Sequence, residues 1–121
     1  MTDYQMGEVE TRFANIIWDN EPISSTSLAK LCEGELGWKK STTYTVLKRL
    51  CGKGIFKNEQ GTVGSLITRE EFYSAQSEQF VETTFKGSLP AFLTAFSARK
   101  GLTREEVEEL RRLVREYGED E

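Results

Sequence analysis

Three helix-period apolar segments in the first half of this chain are followed at once by two short extended runs. That order constrains the fold more than any other feature. Val9, Phe13, Ile16 and Ile17 recur at i, i+4, i+7 and i+8, which predicts a first helix from about Gly7 to Asp19 with a single apolar stripe. Pro22 disfavours helix in the residue before it and ends that segment. Ser24 or Ser25 is the N-cap of a second helix, with Leu28, Leu31, Cys32 and Leu36 on its buried face and Gly37 as its stop. A third helix is expected from about Ser41 to Gly52, closed by Gly54. Residues 55–57 and 63–67 then read as strands, with Asn58, Glu59, Gln60 and Gly61 as the turn between them.

The third helix is where function is expected. On a wheel at about 100° per residue, Thr43, Val46, Leu47 and Leu50 fall on one side. Ser41, Tyr44, Thr45 and Lys48 fall on the other, with Thr42 and Arg49 on a flank. From Lys39 to Lys57 there are six cations (Lys39, Lys40, Lys48, Arg49, Lys53, Lys57) and no acid, in a chain of net charge −4. The remaining residues therefore carry −10. Such segregation repels itself unless a polyanion relieves it, and nucleic acid is the commonest one. Three helices and a hairpin, with a tight link from Leu36 to Lys40, make a winged helix-turn-helix arrangement whose third helix suits the major groove.

Beyond residue 69 the chain changes character. A helix from Glu70 to about Lys86 carries Phe72, Tyr73, Phe80, Val81 and Phe85. A second, Leu89 to about Lys100, carries Phe92, Leu93 and Phe96, with Pro90 in its first turn. In a third, Thr103 and Glu106 form a capping box ahead of Val107, Leu110, Leu113, Val114 and Tyr117. Leaving three phenylalanines in water would forgo about 5–8 kcal/mol. Two copies covering each other's apolar faces solve this; folding back on the first domain is the alternative. The expected interface is Phe80, Phe85, Leu89, Phe92, Leu93, Phe96, Leu110, Leu113 and Val114. The fold class is thus mostly α with a small β-hairpin wing. A winged helix-turn-helix DNA-binding domain (7–69) precedes a three-helix dimerisation lobe (70–117) and an acidic tail (118–121).

Composition excludes other classes. With no histidine and two cysteines, Cys32 and Cys51, there is no metal site of zinc type and no histidine-activated nucleophile. Both cysteines have apolar neighbours and read as reduced, buried or half-buried thiols. Neither an enzyme nor a cofactor is expected. No apolar run approaches roughly 18 residues, so no membrane span is expected. The opening residues 1–5 lack the basic-then-apolar pattern of a secretory leader, which predicts a cytoplasmic location.

Several stretches together resemble a known family. They are Asn15-Ile16-Ile17-Trp18, Trp38 ahead of the third helix, Thr42 with Thr45, Leu47-Lys48-Arg49-Leu50 with Lys53-Gly54, then Gly87, Leu102-Thr103, Glu106 and Glu109-Leu110. They are similar to the penicillinase and methicillin-resistance repressors (BlaI/MecI), which share a superfamily with copper-responsive CopY repressors. The resemblance runs from about Gly7 to Arg115. It implies a homodimeric repressor that binds a palindromic double-stranded DNA operator and pairs through its C-terminal helices. It also implies an upstream membrane sensor or protease. In β-lactam-responsive members the lobe is cut between an asparagine and a phenylalanine; the matching pair here is Ala95-Phe96, with alanine in place of the asparagine. The paired C-terminal cysteines of the copper-responsive members are absent. Thr62, Val63 and Gly64 stand where the family's wing carries basic and aromatic residues.

On this reading Ser41, Thr42, Tyr44, Thr45 and Lys48 face base edges, where a lysine can donate to guanine and a threonine methyl can touch thymine. Lys39, Lys40, Arg49, Lys53 and Lys57 hold phosphates. The alternative is a winged-helix adaptor whose basic face docks an acidic protein.

Overall fold

A computed structural model describes residues 4–119, so Asp120 and Glu121 of the expected acidic tail lie outside the described residues. The elements are α1 (Glu8–Asn20), β1 (Ile23–Ser24), α2 (Ser25–Leu36), α3 (Lys40–Gly52), β2 (Phe56–Glu59), β3 (Thr62–Ser65), α4 (Arg69–Phe85), α5 (Leu89–Lys100) and α6 (Arg104–Tyr117). The chain divides into two compact units between Gln79 and Phe80. That division falls within α4, whereas the sequence places the domain change near its start.

In the first unit, α1, α2 and α3 surround a small antiparallel sheet of order β1-β3-β2. Ile23 pairs with Val63, and Phe56 to Glu59 pair with Ser65 to Thr62. Both residues of the hairpin turn have positive φ, Gln60 at 51° and Gly61 at 86°, as a tight two-residue hairpin requires. The core joins Phe13, Ile17, Leu28, Leu50, Ile55, Phe56, Val63 and Phe72, all buried. Trp18 is its aromatic hub. Its ring centroid lies 5.2 Å from Phe56 and 5.5 Å from Phe72, and its Nε1 donates to the Ile67 carbonyl at 3.2 Å. Arg69, at the start of α4, sits 5.7 Å from the Trp18 ring and pairs with Asp19. The first turns of α4 therefore belong to the winged unit.

Four local expectations change. Val9 is 48% exposed and is no part of the buried stripe, because it falls in the first turn of α1, ahead of the buried Phe13. Gly54 (φ 84°) closes α3 as expected, its amide donating to the Cys51 carbonyl at 3.0 Å and the Ile55 amide to the Leu50 carbonyl at 3.2 Å, but strand β2 takes in Asn58 and Glu59, which the sequence places in the turn. Strand β3 stops at Ser65. The two-residue strand β1 had no periodic signal of its own; it exists because β3 offers it a partner.

In the second unit the helix boundaries follow their capping chemistry. Ser88 Oγ accepts from the Ala91 amide at 3.1 Å, and Thr103 Oγ1 from the Glu106 amide at 3.1 Å. The Thr103 amide donates back to Glu106 Oε1 at 2.8 Å. Phe80, Phe85, Phe92 and Phe96 form an aromatic cluster with centroid separations from 5.6 to 6.3 Å. Even so, no side chain of α5 or α6 is fully buried among the described residues.

Two outcomes follow from this packing. Phe72→Ala should lower stability by about 3–5 kcal/mol in chemical denaturation; a loss under about 1 kcal/mol would mean that α4 does not help close the first core. Hydrogen bonds from the Thr103 amide and hydroxyl group hold the Glu106 carboxyl below the usual carboxylate range. A lowered folded-state pKa gives a contribution that is present above the unfolded value of about 4.3 and lost as pH falls through the folded one. Carboxyl titration by NMR should place Glu106 below that value, and Thr103→Ala should bring it back up.

Candidate nucleic-acid interface

The α2–α3 connection is set by Gly37, Trp38 and Lys39. Gly37 adopts φ 68°, ψ 24°, and the amides of Gly37 and Trp38 bond back to the carbonyls of Glu33 and Cys32 at 3.2 and 3.3 Å. Trp38 wedges against Phe13 with ring centroids 5.3 Å apart. That turn launches α3, and the buried set Thr43, Val46, Leu47 and Leu50 fixes its rotation. Ser41, Thr42, Thr45 and Lys48 are exposed, and Tyr44 is half-buried.

The N-terminus of α3 has no side-chain cap and no acid in its first turn. Lys39 is its N-cap residue and Lys40 its first helical one, and both are exposed. Unsatisfied amides flanked by two lysines attract anions through both dipole and charge. The Lys40 Nζ lies 5.7 Å from the Tyr44 ring centroid, within cation–π range, so the two side chains share one patch. Thr45 Oγ1 donates to the Ser41 carbonyl at 2.9 Å.

The six cations differ in their commitments. Arg49 Nε sits 3.1 Å from Glu10 Oε2, and the other Glu10 oxygen accepts from the Gly7 amide at 3.4 Å. Lys53 Nζ donates to the Gln5 carbonyl at 2.6 Å. Lys57 pairs with Glu59 at 3.2 Å. Lys39, Lys40 and Lys48 have no carboxylate partner among the described residues. The basic run thus resolves into uncompensated lysines on the first two-thirds of α3 and compensated cations at its end and in the hairpin. Sequence reasoning missed Glu10 and Glu59. Glu59 was legible, since residues two apart on a strand share a face. Glu10, 39 positions from Arg49, left no local signal.

Cys32 is buried, Cys51 is half-buried and both are free. Burial pushes both thiols up. No group of three or more His, Cys, Asp or Glu residues able to hold a metal occurs among the described residues, and no helix there is long and apolar enough to cross a membrane.

The expected interface residues of the second unit lie on α4, α5 and α6. Phe80, Leu89, Phe96 and Val114 are exposed; Phe85, Phe92, Leu93, Leu110 and Leu113 are half-buried. Phe92, Leu93, Phe96, Leu102 and Leu110 line a shallow apolar hollow, and Val107 and Val114 line a second beside it. Ala95 and Phe96 are both exposed but lie mid-way along α5, so proteolysis there requires the helix to open locally.

The family model described as penicillinase repressor matches residues 6–116. The chain is 24% identical over 115 residues to the methicillin resistance regulatory protein MecI of Staphylococcus aureus, covering 92% of this chain and 94% of that one. The MecI of Mammaliicoccus sciuri gives the same figures. Identity to the penicillinase repressor of Bacillus licheniformis is also 24%, over 117 residues, covering 93% and 91%. The chain belongs to the penicillinase repressor family, whose members are DNA-binding transcriptional repressors and not enzymes.

Proposed function

We propose that this member of the penicillinase repressor family acts in the cytoplasm as a homodimer that silences promoters by binding a two-fold operator, one α3 in the major groove of each half-site. The observation that carries this reading is the outward side of α3, where Lys39, Lys40 and Lys48 have no counter-ion among the described residues and the uncapped N-terminus lies between the first two. Ser41, Thr42, Tyr44, Thr45 and Lys48 read bases, and Lys39 and Lys40 hold phosphates. Arg49, Lys53 and Lys57 reach phosphates only by exchanging the partners they hold within the chain.

Pairing through the second unit is supported by its exposed apolar side chains, among them Phe80, Leu89 and Val114. Apolar surface of that extent on small helices marks an interface, and a self-complementary patch favours a two-fold dimer. Induction weakens the dimer, through an upstream membrane sensor or protease acting on the second unit; Ala95-Phe96 is the candidate cut.

Binding to duplexes that the chain itself selects from genomic DNA tests this directly. A dimer neutralising about six to eight phosphates gives a log K against log salt slope of about −5 to −7. A flat salt response would contradict the proposal. Lys48→Ala should relax sequence preference at one position by about 1–3 kcal/mol, while Lys40→Ala should weaken all sequences alike and flatten the slope by about one unit per protomer. Equal loss of discrimination in both variants would refute the division between base and phosphate contacts. Val114→Glu should shift the chain from dimer to monomer in sedimentation velocity; an unchanged dimer would place the interface elsewhere.

A further inference from the structure

The hairpin from Phe56 to Ser65 carries only two charges, Lys57 and Glu59. They lie two apart on β2, on one face of the strand, with Nζ and Oε1 3.2 Å apart. A second carboxylate joins them from outside the hairpin. Glu21 Oε1 accepts from the Ser65 amide at 2.8 Å and from Ser65 Oγ at 2.7 Å. The same oxygen and Lys57 Cε flank Gly64, 3.8 and 3.9 Å from where a Cβ on that glycine would sit. One lysine thus shares a sheet face with two carboxylates. β2 is one of the two edge strands of the sheet and neighbours α3, with Phe56 turned into the core and the Lys57–Glu59 face turned to solvent.

We propose that Glu59 is an affinity-setting residue. It cancels Lys57, so that the hairpin offers DNA no net positive charge and recognition is left to α3. This inference rests on the repressor reading above. The pair is exposed, with 46% and 70% of the two side chains accessible, so it holds loosely and Lys57 is free to swing toward a phosphate. Glu59 follows the hairpin wherever it goes. A phosphate that draws Lys57 away therefore meets an unpaired carboxylate on the same strand face, and the gain from one contact is offset by repulsion. Glu21, fixed on Ser65, adds to that repulsion.

A double-mutant cycle on the full chain separates the possibilities. Binding of wild type, Glu59→Gln, Lys57→Ala and the double variant to a selected duplex is measured over a series of salt concentrations, with thermal melting to check folding. Glu59→Gln should tighten binding by about threefold to tenfold and steepen the salt slope by about two units per dimer, one new phosphate contact on each protomer. Lys57→Ala should weaken binding by exposing Glu59, and the double variant should return to within about twofold of wild type. Unchanged affinity and slope in Glu59→Gln, with wild type bound, would overturn the proposal and leave the repressor reading intact. So would a double variant as weak as Lys57→Ala, which would make Lys57 itself the phosphate contact. A wild-type chain that binds no duplex at all would overturn both readings together.

Discussion

The rotation of α3 about its own axis is the constraint on which the rest depends. Thr43, Val46, Leu47 and Leu50 are held in the core, in a first unit that also buries Phe13, Ile17 and Leu28 from the two preceding helices and Ile55 from the segment leading into β2. A helix with four inward residues at that spacing has one outward side, and here that side consists of hydroxyls, an aromatic ring and lysines. Any twist that exposed Val46 or Leu47 would lose about 1.5–3 kcal/mol of burial per side chain. The exposed hydroxyl and lysine face is therefore presented by the same contacts that make the domain fold, and Trp38 and Gly37 set the point from which the helix starts.

Charge is distributed in the opposite manner in the two units. Lys39, Lys40 and Lys48 have no carboxylate partner among the described residues, whereas α6 pairs two of its four arginines with its own glutamates. Arg112 pairs with both Glu109 and Glu116, and Arg104 lies 3.8 Å from Glu108. These exposed pairs contribute little to stability. Glu10 pairs with Arg49 at the end of α3, and Glu59 with Lys57 in the hairpin.

Most of the fold was legible because its signals are local. Ser24, Ser88 and Thr103 announce helix starts by hydroxyl capping, Gly37 announces an end, and apolar spacing orients each helix. What escaped reading depends on partners far along the chain. Strand β1 has two residues and no alternation; only its register against Val63 and Thr62 makes it a strand. The division inside α4 follows from Phe72 and Arg69 docking on Trp18, some fifty residues earlier. In the candidate site the positions on α3 could be placed by helical period, but the commitments of Arg49 and Lys53 could not, because Glu10 and Gln5 are 39 and 48 residues away.

The proposal that one side of α3 meets duplex DNA while the acidic α6 stays clear of it stands or falls on the backbone amide resonances of the full chain, followed as a selected duplex is added. The largest changes should fall between Lys39 and Lys48, and the resonances of residues 104–117 should hardly move. Changes concentrated on α6, or spread evenly with no maximum at α3, would contradict it.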